Sequence, residues 1–144
     1  MAQPTQEDAR LLLQIYDLRR EARLRKARDF VGQQLKFKDY ADFNKRYPPG
    51  SKAGAHVAMV LGYWDTVCTL VDKGLLNAEL FQLTNFEHVS VWFKLKPLVV
   101  GWRKDYQYPG YAAPVEAVAT AHPVAASYQQ WAAVETEAKS KKKK

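Results

Sequence analysis

A chain of 144 residues with 47% hydrophobic side chains can bury a core of its own, which excludes an intrinsically disordered protein. The single cysteine, Cys68, excludes an intrachain disulfide and suits a reducing compartment. The formal charge of +7 gathers in two places, Arg19–Arg28 and the Lys139–Lys144 tail, and the body is nearly neutral.

The first residues, MAQPTQEDAR, show neither a basic n-region nor an apolar h-region, so no secretory signal is expected and the expected location is cytoplasmic. Thr5 can cap a helix whose first turn holds Glu7 and Asp8. That helix is predicted over about Gln6–Leu35. Leu11, Ile15, Leu18 and Ala22 form one apolar stripe, whereas Leu24, Ala27 and Val31 fall on roughly the opposite side at about 100° per residue. Either the helix changes partners midway or it bends near Arg23. A short amphipathic helix follows in Lys38–Arg46, ended by Tyr47-Pro48-Pro49-Gly50.

Ser51 then caps the central helix, predicted at about 52–73. Ala53, Val57, Val60, Trp64, Val67 and Val71 repeat along it, with Leu61, Cys68, Tyr63 and Leu70 to either side. A helix apolar on nearly every side must be covered on nearly every side. Gly54, Ala58 and Gly62 share a face on which a neighbouring backbone could come close. Gly74 suits the left-handed position that closes the helix. Asn77 starts a short helix, and a longer one runs over about 86–104 with Trp92, Leu95, Val99 and Trp102 inward and a kink expected at Pro97. Tyr106–Pro114 reads as a surface loop and Val115–Thr120 as a helical turn. Pro123 opens a last helix to about Ala138, with Val124, Tyr128, Trp131 and Val134 inward.

Tyr63-Trp64-Asp65, the run Leu70-Val71-Asp72-Lys73-Gly74-Leu75-Leu76-Asn77, and the spacing of Trp92, Pro97 and Arg103 resemble a family of small bacterial helical proteins known as domain of unknown function 4760. The resemblance covers roughly Ala53–Lys104. It implies an all-α fold and brings no activity with it.

The search for chemistry assigns no catalytic residue, metal site or cofactor. Cys68 sits mid-helix among apolar groups and reads as a buried structural thiol. The three histidines are scattered, and no CxxC, HExxH or ExxH spacing occurs. His88 reads as a half-buried residue bonded to Asp65 or Asp72. The same three residues would carry the alternative of an enzyme or small-ligand binder. Asp65 and Asp72 lie on one helix face about 10 Å apart, too far for direct acid–base coupling. A structural ion pair of Asp65 or Asp72 with Arg103 is the preferred reading.

Arg19, Arg20, Arg23, Arg25, Lys26 and Arg28 could bind nucleic acid or another polyanion. As a solvated, partly salt-bridged face they need no such partner. The tail, 139–144, is expected to be disordered and to add at most weak contact with nucleic acid or acidic lipid. Ala53–Val71 approaches the ~20 residues needed to span a bilayer. Asp65 near its centre would cost about 2.5–3.5 kcal/mol, so the chain is not expected to be transmembrane.

The expected fold is therefore all-α: a single bundle of five or six helices over 1–138, with all four tryptophans largely buried. The expected function is a non-enzymatic module for an unidentified protein partner.

Overall fold

The computed structural model describes residues 2–130 and 141–142. Among them the chain forms seven α-helices, one π-helical segment and a further helical stretch at 125–130, without a strand. The all-α class expected from the periodicity holds, with more elements than five or six. The additions come from both ends of the chain.

At the N-terminal end, α1 spans Gln6–Leu18. It starts in a reciprocal capping box: the Thr5 side chain accepts from the Asp8 N–H, and the Asp8 carboxylate accepts from the Thr5 N–H at 2.8 Å. The helix expected to continue to Leu35 stops here. Glu21 accepts a hydrogen bond from the Leu24 N–H at 2.9 Å and so begins α2, Ala22–Asp29. The break explains the change of stripe. Ile15 is the buried residue of α1, whereas α2 buries Leu24 and Ala27. After α2 the chain widens into a π-helical segment, Phe30–Gln34, where the Leu35 N–H reaches back five residues to the Phe30 carbonyl.

Asp39 caps α3, Tyr40–Arg46, and Ser51 caps α4, Lys52–Asp72. Helix α4 packs against α2, the π segment, α5, α6 and α7. It buries Val57, Val60, Leu61, Trp64, Val67, Cys68 and Val71. Gly74, at φ 75, takes the left-handed conformation that ends it, and the Leu75 and Leu76 N–H groups both donate to the Leu70 carbonyl. Asn77 caps α5, Ala78–Thr84. Helix α6, Glu87–Asp105, runs through Pro97, which lies on the exposed side where a missing backbone bond costs least.

The second addition is α7, Ala113–Ala121, where only a helical turn was expected. Ala112 precedes it at φ 58 and supplies no side-chain cap. The cap comes from another helix: the Asp65 carboxylate on α4 accepts from the Val115 N–H at 3.1 Å. A negative group at the positive end of α7 complements its dipole. Residues 125–130 are helical as well. The expected continuation of that helix, with Trp131 and Val134, lies outside the described residues, as does most of the lysine tail.

Buried side chains from Ile15 to Ala125 form one cluster. Trp64 and Trp92 are enclosed, and Trp102 is partly buried at the edge. No described helix is long and apolar enough to cross a membrane. The face of Gly54, Ala58 and Gly62 is not where two elements approach most closely. Ala58 and Gly62 are exposed, and a Cβ on Gly62 would meet nothing within 4 Å. The close approach is at Gly101 on α6, where a Cβ would lie 2.3 Å from the Tyr40 ring.

These two glycines should respond to alanine with opposite signs. Gly101→Ala must displace Tyr40 and is expected to destabilise by about 1–3 kcal/mol. Gly62→Ala is expected to stabilise by about 1 kcal/mol through helix propensity alone. Urea unfolding midpoints of the two variants check both.

Candidate functional site at the π-helical turn

The polar groups of the molecule gather where the broken N-terminal helix meets α6. Glu87 opens α6, so its carboxylate sits at a positive helix end. Arg28 binds it through two parallel contacts, Nε to Oε1 at 2.8 Å and Nη2 to Oε2 at 2.6 Å. Hydrogen bonding to Glu87 raises the pKa of Arg28 further. Arg19 approaches the same carboxylate at 4.0 Å and donates to the Asn85 Oδ1 at 3.2 Å. Its guanidinium also lies over the rings of Tyr16 and Trp64, at 5.2 and 5.6 Å.

Beside this cluster is a pocket of about 310 Å³, lined by Arg28, Val31, Gly32, Val60, Glu87, Ser90, Val91 and Lys94. The π segment forms one wall. The Lys94 ammonium donates to the Val31 carbonyl within it. Burial, with Lys36 nearby, lowers the pKa of Lys94. The Ser90 hydroxyl donates to the Glu87 carbonyl at 2.9 Å.

The cationic cluster read from the sequence is thus divided. Arg19 and Arg28 turn inward onto Glu87, and Arg20, Arg23, Arg25 and Lys26 remain exposed. The carboxylates are divided too. Asp65 caps α7, and burial raises its pKa against the opposing effects of the Val115 bond and Arg103. Asp72 is exposed at the last turn of α4. Arg103 forms its ion pair with Glu116 at 2.9 Å rather than with either aspartate, and its Nε donates to the Tyr111 carbonyl at 2.7 Å. It therefore ties α6 to the start of α7.

His88 lies deeper than a half-buried residue and is bonded to neither aspartate. It is fully enclosed, with ring centroids 4.8 Å from Phe81 and 5.7 Å from both Trp64 and His122. Neither of its nitrogens has a hydrogen-bond partner among the described residues. Burial, reinforced by His122, lowers its pKa to about 4. His122 accepts from the Val124 N–H through Nδ1, so its Nε2–H donates to the Gln82 carbonyl at 3.0 Å. Cys68 is a free, buried thiol whose pKa is raised by burial and then by Asp65 and Asp72. His56 packs on Phe30. His88 and His122 thus come together although they are scattered in sequence, yet no group of three or more potential metal ligands occurs among the described residues.

The family described as Domain of unknown function (DUF4760) matches residues 4–121. The chain belongs to this family. The DUF4760 match extends well beyond Ala53–Lys104 and takes in α1 through α7, so the Glu87 cluster, the π segment and the Asp65 cap all fall inside the family domain. No curated protein and no solved structure matches the chain.

The enclosure of His88 makes stability depend on pH. Its pKa is about 4 when folded and near 6.5 when exposed, so the unfolded chain takes up the proton first as pH falls. The stability associated with the neutral ring is full above about pH 6.5 and is lost as pH falls towards 4. Between pH 7 and pH 4.5 the loss is expected to be on the order of 2 kcal/mol. His88→Leu should remove that share of the pH dependence, as measured by urea unfolding at the two pH values.

Proposed function

We propose that this DUF4760 protein is a non-enzymatic cytoplasmic interaction module that takes an acidic, amphipathic segment of a protein partner. The reading rests on one surface. Arg19 joins the end of α1 to the α5–α6 junction, so Tyr16 adjoins the residues around Asn85 and Glu87. There Tyr16, Leu83 and Phe86 are 56%, 76% and 64% exposed. Scattered exposed apolar groups need no explanation, but Leu83 and Phe86 flank in sequence the Asn85 that Arg19 binds, and the same arginine lies over Tyr16. The cations not bound to Glu87 follow directly in α2 and its leading turn. An apolar patch beside exposed arginines complements a helix with one apolar and one acidic face. The groups that could carry chemistry, Cys68 and His88, are enclosed in the core, which supports a binding role over a catalytic one.

A second reading is favoured by the cations alone. Arg20, Arg23, Arg25 and Lys26 are all exposed within one short segment, as phosphate contacts require.

The two readings separate by variant. Affinity capture from host extract is expected to recover a protein partner with the native chain. Leu83→Ser/Phe86→Ser should lose it, and Arg20→Glu/Arg23→Glu should weaken it about tenfold. Retention of the same proteins by Leu83→Ser/Phe86→Ser would contradict the first reading. Oligonucleotide binding that falls steeply with salt, and depends on Arg20 and Arg23 but not on Leu83 and Phe86, would establish the second.

A further inference from the structure

We propose that the pocket beside the π segment binds a small amphipathic carboxylate, with its carboxylate on Lys94 and its apolar body against Val31, Val60 and Val91. The site is separate from the surface patch and does not depend on it.

Four observations support it. The volume, about 310 Å³, is at the lower end of small-molecule sites. The walls are mostly apolar: three valines on three different elements, and Gly32, which contributes no side chain. A Cβ built on Gly32 meets nothing within 4 Å, so the space beside it is open. The charges favour an anion. Arg28 and Lys94 line the pocket with a single carboxylate, Glu87, whose two oxygens are both occupied by Arg28, and Arg19 lies 4.0 Å from it.

The fourth observation is the donor supply. Arg28 spends three of its five N–H donors, two on Glu87 and one on the Arg19 carbonyl, and its charge is matched by the Glu87 carboxylate. Lys94 spends one of three ammonium donors on the Val31 carbonyl. The pocket therefore offers one cation that has no carboxylate partner among the described residues, set at the edge of an apolar surface. One such group matches a monoanionic carboxylate with a hydrocarbon or aromatic body. A phosphate dianion would need more positive charge than the single unpaired Lys94 provides.

The test uses octanoate, with 1-octanol as its uncharged counterpart, followed through the methyl resonances of the full-length protein. Octanoate is expected to shift the methyls of Val31, Val60 and Val91. 1-Octanol should bind at least about tenfold more weakly, as loss of a charge-assisted contact implies. Lys94→Met should weaken octanoate about tenfold and leave 1-octanol unchanged. Gly32→Leu should abolish both by filling the open space while keeping a urea midpoint at or above that of the native chain, so its effect cannot come from unfolding. The proposal is overturned if millimolar octanoate leaves those methyls unshifted, if 1-octanol binds equally well, or if folded Gly32→Leu still binds octanoate.

Discussion

Trp64 is fully buried, and covering it takes side chains from three other parts of the chain. Phe81 of α5 and His88 of α6 pack against its ring, and Arg19 from the end of α1 lies over it. An indole brings a large apolar area, and no single neighbouring helix can enclose it. Helix α4, apolar on most of its circumference, repeats the same demand along its length. The bundle is the arrangement that meets it, with α2, α5, α6 and α7 set round one central rod.

That arrangement gives the polar residues their places. Arg19 cannot lie over Trp64 without bringing its charge close to the core, and Glu87 and Asn85 compensate it there. Arg28 shares the same carboxylate and joins α2 to α6. At the far side Arg103 and Asp65 perform a similar task for α7, one binding Glu116 and the Tyr111 carbonyl, the other capping the helix. Groups that might otherwise serve as reactive acids, bases or phosphate binders are thus occupied at the seams between helices. What remains for partners is the surface: the exposed aromatic and aliphatic residues beside the α1–α2 break, the four free-standing cations, and the pocket under the π segment.

Features set by local chemistry could be read from the sequence. The limits of α4 follow from the Ser51 cap and Gly74, α3 from the prolines after it, and α5 from Asn77. The family resemblance in Tyr63-Trp64-Asp65 and Trp92-Pro97-Arg103 was readable for the same reason, since those residues sit in the core helices. Features set by tertiary contacts could not. The switch of apolar stripe pointed to a change of partners or a bend near Arg23, but nothing in Arg19-Arg20-Glu21 marks a full break there, because glutamate is not a usual cap and the inward pull of Arg19 depends on Glu87, 68 residues away in sequence. Helix α7 has no local cap, and its cap arrives from Asp65. The small residues of α4 suggested a close approach by their spacing, yet spacing does not say which face is covered. Gly101, alone in its helix, gave no such signal. The pocket was invisible because a π segment has no compositional signature and its walls come from four elements.

If the enclosure of α4 is what holds the bundle together, its amides should open only when the whole protein unfolds. Native-state hydrogen exchange measures this directly. The amides of Val60–Val71 are expected to exchange most slowly, with an opening free energy equal to that of global unfolding, while those of α1 and α3 open at lower cost. Exchange in α4 as fast as in α1 would contradict a fold organised around Trp64.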